Sequence, residues 1–223
     1  MIVPARFNGP PDSANGGYTC GLVASELGAG GAEVSLRAPP PLETEMTVER
    51  EGDVVRVSDG DTLVAEGRPA NVDVGELPEP IGIDQAEATM AAGKERWTTG
   101  HPFPTCYVCG PGRPHHDGLD IYPAQLDERW VATWTPEEPG MVWPALDCPT
   151  SAPVMNPDKN PPIMLARLAA AIDAEPQIGE PHVLMSWALG RDGRKLESGC
   201  VLLTADGNAL AHSRALWIEL RPG

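Results

Sequence analysis

The sequence contains no apolar run approaching the roughly 20 residues that a membrane-spanning helix needs. Its first residues, Met1-Ile2-Val3-Pro4-Ala5-Arg6, lack the basic and apolar regions of a secretory leader. A soluble, cytoplasmic protein without membrane insertion is expected. Basic residues are also scarce: 16 Lys and Arg stand against 32 Asp and Glu, a net charge of −16. That surplus repels phosphate backbones and anionic bilayers, which argues against nucleic acid as a partner. A small anionic ligand needs only a local cation cluster or a helix N-terminus, so it stays open. Cysteine is sparse and odd in number; Cys20, Cys106, Cys109, Cys148 and Cys200 are scattered in a way that suits reduced thiols rather than a disulfide framework.

Proline and glycine, by contrast, are plentiful, with 25 and 24 residues. They concentrate at 39–41, 78–82, 100–118 and 149–162, between strand-like stretches, and so mark loops rather than disorder. One arrangement occurs twice. Asp59-Gly60 and the strand-like segment 63–74 are echoed by Asp206-Gly207 and 209–220. Both read as a hairpin turn opening a long strand. Only Ala65/Ala211 and Arg68/Arg214 coincide within the aligned strands, and Asp-Gly turns are common, so coincidence is the rival reading. What favours duplication is a compact helix candidate upstream of each copy. At 223 residues the chain accommodates one large or two small domains, and duplication favours two halves sharing a sheet.

The first helix candidate follows Ser13-Ala14-Asn15 and runs to Gly28, with Ser13 or Asn15 as its cap and Gly28 as its stop. Glycine inside a helix costs about 1 kcal/mol, so Gly16, Gly17 and Gly21 imply a close backbone approach there. Strands are expected at 32–38, 43–50, 53–58 and 62–74, with Glu51-Gly52 and Asp59-Gly60 as tight turns. A connector carries a short helix from Asp84 to Arg96. The second half offers extended segments at 119–123 and 128–135, a helix from Trp143 to Met155, and strands at 162–173, 182–190, 195–205 and 208–220. Residues Ile163 to Ile172 have strong helix propensity, but the repeated pattern requires a strand there, and a strand is predicted.

The segment Asn15-Gly16-Gly17-Tyr18-Thr19-Cys20-Gly21-Leu22-Val23-Ala24 is similar to the Gly-Gly start of the first central helix in type II acyl-CoA thioesterases. In the second helix, Trp143-Pro144-Ala145-Leu146-Asp147 places an aspartate where that family has its catalytic one, and the closing Asp206-Gly207 hairpin resembles the family's own. Cys106-Tyr107-Val108-Cys109-Gly110 resembles a segment of uncharacterised actinobacterial thioesterase-like proteins. The resemblance implies an α+β double hotdog: two central helices, each wrapped by an antiparallel sheet, duplicated in tandem. The expected division is an N-terminal hotdog at 1–80, a connector at 81–118 and a C-terminal hotdog at 119–223. It further implies hydrolysis of an acyl-CoA or other acyl thioester in an apolar channel between the halves, with neither metal nor organic cofactor, and a homodimer as one assembly. The strand Thr and Gln that help activate water in those enzymes have no clear match; Ala215 lies nearest the Gln.

Asp147 lies in an otherwise apolar run, where a carboxylate is costly to bury without a partner or purpose. As a general base it would activate water; as a simple cap before Pro149 it would only hold backbone N–H groups. The backbone N–H groups of Asn15, Gly16 and Gly17 would polarise the thioester carbonyl, or merely begin a glycine-rich helix. Arg191 and Arg194, with Lys195 beside them and Arg113 farther off, are candidates for coenzyme A phosphates. Tyr18 and Trp143 are candidates for the acyl channel, and Trp187 and Trp217 for channel or core. Cys106, Cys109, His115 and His116 offer either a zinc site or a structured loop near the ligand entrance. His101, His182 and His212 lie singly and read as structural. Three rivals remain: a non-hydrolytic acyl-CoA binder, a hydratase that pairs a histidine with an acid, and a zinc-stabilised interaction module at 100–118.

Overall fold

A computed structural model describes residues 1–99, 101–114, 117–155 and 162–221. Helix α1 (Gly16–Leu27) begins at Asn15, whose extended backbone and side-chain oxygen, accepting from the Tyr18 N–H, form a conventional N-cap. It ends at Gly28, which adopts the left-handed conformation with φ 64°. The other cap candidate, Ser13, instead donates its hydroxyl to the Ala14 carbonyl. Strands β1 (Gly31–Leu36), β2 (Thr47–Glu51), β3 (Val54–Asp59) and β4 (Thr62–Pro69) follow. Gly52 and Gly60 turn the β2–β3 and β3–β4 hairpins at positive φ. The period-2 pattern is plain in β3, where Val55 and Val57 are fully buried while Arg56 faces out to Glu51 and Glu66.

Helix α2 (Ile83–Thr98) leads into β5 (Ala124–Leu126) and β6 (Arg129–Trp134). Helix α3 (Val142–Asp147) runs directly into a 3-10 turn, Cys148–Ser151. Strands β7 (Ile163–Ile172), β8 (His182–Asp192), β9 (Lys195–Thr204) and β10 (Ala209–Glu219) complete the chain. The ten strands form one sheet in the order β2-β3-β4-β1-β7-β10-β9-β8-β6-β5. At its middle, β1 pairs antiparallel with β7 from Gly31–Ala171 to Ser35–Arg167. Going outward from that seam, β4, β3 and β2 on one side answer β10, β9 and β8 on the other. The echo read in the sequence falls on β4 and β10: Ala65 and Ala211 are both fully buried, while Arg68 and Arg214 both face out and pair with Glu33 and Glu197.

One continuous core joins α1, α3 and the inner sheet face, including Val23, Val34, Val57, Leu146, Leu168 and Ala215. A smaller cluster, with Ala86, Val131, Val183 and Val201, lies beneath α2 on the opposite face of the second half.

The segment 163–172 is the strand that the repeat required, against its helical propensity. It is hydrogen-bonded to neighbours on both sides, β1 and β10, and Leu168 is fully buried between them. Tertiary pairing overrides a preference worth tenths of a kcal/mol per residue. Four boundaries need correction. The strand expected at 43–50 begins only at Thr47, since Glu43 takes φ 53°, outside extended geometry. Residues 119–123 are not a strand: Asp120 takes φ 52°, and pairing with β6 starts only at Ala124. The helix expected from Trp143 to Met155 ends at Asp147, because Pro149 lacks the N–H that a further α turn needs and the chain tightens into the 3-10 turn. The strand expected at 62–74 leaves the sheet after Pro69.

Candidate active site

The glycines of α1 mark where α3 crosses it. A Cβ on Gly17 would lie 2.4 Å from the Asp147 Cβ and 2.8 Å from the Pro144 Cα, and one on Gly21 would lie 2.9 Å from the Trp143 Cβ. Only a bare backbone allows this approach. It sets the last residue of α3 against the first turn of α1, and the result is a specific contact. Asp147 Oδ2 accepts the Gly17 N–H at 2.8 Å and the Asn15 Nδ2 at 3.3 Å. Asn15 thus does two things with one side chain, since its Oδ1 holds the Tyr18 N–H at 2.9 Å.

Asp147 is only 2% exposed, and its other oxygen, Oδ1, has no hydrogen-bond partner among the described residues. Burial pushes its carboxyl pKa up to about 7, although the Gly17 N–H and Asn15 pull the other way. The backbone of Asp147 is held as well: the Thr150 hydroxyl donates to the Asp147 main-chain carbonyl at 2.5 Å, and Trp217 Nε1 donates to that hydroxyl at 2.9 Å. Ser213 on β10 and Ser186 on β8 donate to the carbonyls of Leu146 and Pro149. These bonds fix the end of α3 to the sheet.

Asp147 forms part of the wall of a cavity of about 340 Å³, otherwise largely apolar, with Gly16, Leu165 and Trp217 around it and Trp97 and Phe103 contributed by the connector. The three N–H groups expected to polarise a carbonyl are not equivalent. The Asn15 N–H is taken by the Phe7 carbonyl at 2.8 Å and the Gly17 N–H by Asp147. Gly16, also in the cavity wall, is left as the one whose N–H has no acceptor among the described residues.

Three thiols complete this end of the cavity. The sulfurs of Cys106, Cys109 and Cys148 lie within 4.8 Å of one another, with Cys106 and Cys148 at 3.8 Å. Asn15 Nδ2 reaches the sulfurs of Cys106 and Cys148 at 3.9 and 3.8 Å, linking them to Asp147. Hydrogen bonds from the neighbouring thiols and from the backbone hold the Cys106 thiol well below its usual pKa, against its burial.

Other expected site residues lie elsewhere. Tyr18 stacks on Phe7 at 3.8 Å, and Tyr18 and Trp143 line a separate cavity of about 450 Å³ rather than the one that Asp147 faces. Arg191 is held by the Glu219 carboxylate and Arg194 by the Glu219 carbonyl, each at 2.8 Å. Their hairpin nonetheless adjoins the cavity, because Ile218 and Leu220, on either side of Glu219, line it. Arg113 is buried and spends its guanidinium on Asn8, Thr105, Arg6 and Asp117, fixing the connector. His182 and His212 are bonded to the carbonyls of Glu180 and Val72, and His212 Nδ1 lies 3.9 Å from the Asp173 carboxylate; among the described residues neither is hydrogen-bonded to Asp147, the pairing a hydratase reading required. Of the zinc set considered from the sequence, His115 and His116 lie outside the described residues; Cys148 joins Cys106 and Cys109 instead.

Neither a protein-family model nor a curated protein matches the chain. Solved structures do. The TesB protein of Mycobacterium avium subsp. paratuberculosis aligns over 99% of this chain and 91% of its own, at 12% identity and a TM-score of 0.63. A protein from Alicyclobacillus acidocaldarius described as having a hot dog fold aligns over 99% and 92%, at 11% identity and a TM-score of 0.63. The fold is a double hotdog. An acyl-CoA thioesterase II, TesB2 from Mycobacterium marinum, aligns over 95% and 92% at 12% identity and a TM-score of 0.56. In this double hotdog the candidate site lies where the two central helices meet, at the N-terminus of α1 and the C-terminus of α3. Sequence reasoning missed the side chain of Asn15 as the link between Asp147 and the thiols, and Cys148 as a member of the site. The one available signal for Cys148 was its position directly after Asp147.

Proposed function

We propose that this protein hydrolyses acyl-CoA or a related acyl thioester, with Asp147 as general base. One observation carries the reading: a buried carboxylate in the lining of an apolar cavity is held on one oxygen by Gly17 and Asn15, while its other oxygen has no hydrogen-bond partner among the described residues. A group that titrates near neutrality, as burial makes Asp147 do, combines a useful population of base with enough basicity to take a proton from water. The water oxygen bonds to the thioester carbon while Asp147 accepts its proton. The C–S bond then breaks, and Asp147 returns that proton to the departing thiolate, giving acid and thiol. The Gly16 N–H, at the positive end of α1, stabilises charge on the carbonyl oxygen. The acyl chain occupies the space between Leu165, Phe103 and Trp217.

The second reading, acyl-CoA binding without turnover, also has an observation behind it. Ala215 is fully buried, and among the described residues the strands contribute no Thr or Gln to the cavity lining that could assist the water. An assay of wild type and Asp147→Asn against acyl-CoAs of graded chain length, reading free thiol, tests the proposal. General-base loss is expected to lower kcat about 10²–10⁴-fold with little change in KM. Tight binding with no thiol release from the wild type would favour the second reading.

A further inference from the structure

The thiol cluster is not needed for the hydrolysis just described, and its geometry suits a different task. We propose that Cys106, Cys109 and Cys148 bind one zinc ion, leaving the fourth coordination position open to the cavity.

Distance is the first argument. A tetrahedral zinc with Zn–S bonds of about 2.3 Å separates its sulfurs by about 3.8 Å. Cys106 and Cys148 lie at 3.8 Å, and Cys109 falls within the same 4.8 Å group. A disulfide would use two of these sulfurs and leave the third; a metal uses all three.

The loop that carries the first two ligands is the second argument. Cys106-Tyr107-Val108-Cys109-Gly110 folds into a tight knuckle in which the Gly110 N–H donates to the Cys106 carbonyl at 2.9 Å. A Cβ on Gly110 would lie 2.4 Å from the Cys106 nitrogen and 2.6 Å from its carbonyl oxygen, so the knuckle tolerates only glycine there. Asn15 Nδ2 lies 3.9 and 3.8 Å from the sulfurs of Cys106 and Cys148. A donor reaching two sulfurs suits thiolates held by a metal, and such outer contacts orient metal ligands.

The donor set selects the ion and its coordination number. Three thiolates are soft ligands, which favour zinc over magnesium or calcium. Asp147 is not within the group of mutually close ligand atoms. His101 lines the same cavity, but its Nδ1 accepts the Phe103 N–H at 3.0 Å, which puts the ring proton of the neutral imidazole on Nε2 and leaves no lone pair there for a metal. With three protein ligands lining the cavity, a water or another small ligand from that space takes the fourth place. Binding is an exchange without redox change: each Zn–S bond forms as a thiol proton leaves to solvent, so up to three protons are released per ion.

The test uses full-length protein, purified under a phosphine reductant, stripped of metal and titrated with Zn²⁺. Bound metal is counted by mass spectrometry, and the ligands are read by X-ray absorption at the zinc edge. The expected result is one zinc per chain with three sulfurs at about 2.3 Å and one lighter atom. Asn15→Ala should weaken zinc binding about 10- to 100-fold without changing the sulfur count. Cys148→Ser should remove one sulfur; if that variant fails to fold, the wild-type spectrum decides alone. The proposal is overturned if folded, reduced wild type takes up less than one zinc, if it binds zinc through fewer than three sulfurs, or if it forms a Cys106–Cys148 disulfide that excludes the metal. None of these outcomes depends on whether thioesters are hydrolysed.

Discussion

A carboxylate that would be unremarkable on a surface becomes expensive at Asp147, where it keeps two hydrogen bonds and loses its water. The unfolded carboxyl titrates near 3.9. The folded one titrates at about 7. Between those values the folded protein keeps a proton that the unfolded chain has released, so stability falls as pH rises through this window and levels off above it. The loss is on the order of 4 kcal/mol if the full shift is expressed. Asp147→Asn keeps an acceptor for the Gly17 N–H but carries no charge. It should therefore melt roughly 5 °C above wild type at pH 8, with the difference shrinking towards pH 4, as measured by calorimetry across that range. An equal melting temperature at both pH values would show that Asp147 is not destabilised by its site. Gly17 is the complementary case. Gly17→Ala drives a methyl into the Asp147 Cβ and the Pro144 backbone, and overpacking of that kind costs about 1–3 kcal/mol. Denaturant unfolding should register that loss together with reduced thioester turnover.

Element by element, what could be read from the sequence depended on whether the determinants were local. Helix α1 was legible from Asn15 to Gly28 because its cap, its stop and its glycines are its own residues. The hairpins at Gly52 and Gly60 were legible for the same reason. Strand β7 was legible only through the repeat, since its residues favour a helix and its pairing partners β1 and β10 lie far away in the chain. The segment 119–123 misled because its apolar residues pack without joining the sheet: Ile121 is fully buried, yet its N–H is bonded to the Val108 carbonyl of the connector. The thiol site was hidden in a similar way. Cys106 and Cys148 are 42 residues apart, and nothing in their spacing announces that α3 delivers one to the other. Because β7 is the seam strand, truncating its buried Leu168 should be felt by both halves. Leu168→Ala is expected to cost about 2–5 kcal/mol and to lower one common transition in both far-ultraviolet and tryptophan signals. Two separated transitions would mean that the seam does not couple the halves.

For the molecule as a whole, the mirrored order of strands around β1 and β7 places the starts and ends of the two central helices together, and this is what creates the site. Its residues come from three places in the chain: Asn15, Gly16 and Gly17 from the cap and first turn of α1, Asp147 and Cys148 from the end of α3 and the 3-10 turn after it, and Cys106 and Cys109 from the segment between α2 and β5. The surplus of acidic residues is spread over the exterior, while the cavity is lined mainly by apolar residues, with Asp147, Arg37 and the thiol cluster among its polar members. On the reading proposed above, this cavity holds an acyl group by apolar contact and Asp147 is the base that acts on it. The most direct test of that claim is the pH dependence of kcat/KM for acyl-CoA hydrolysis. Activity in the metal-free wild type should rise with pH to a plateau, with a midpoint near 7 set by the Asp147 carboxyl, and that titrating limb should be absent from the residual activity of Asp147→Asn. An unchanged limb and undiminished turnover in Asp147→Asn would contradict the account.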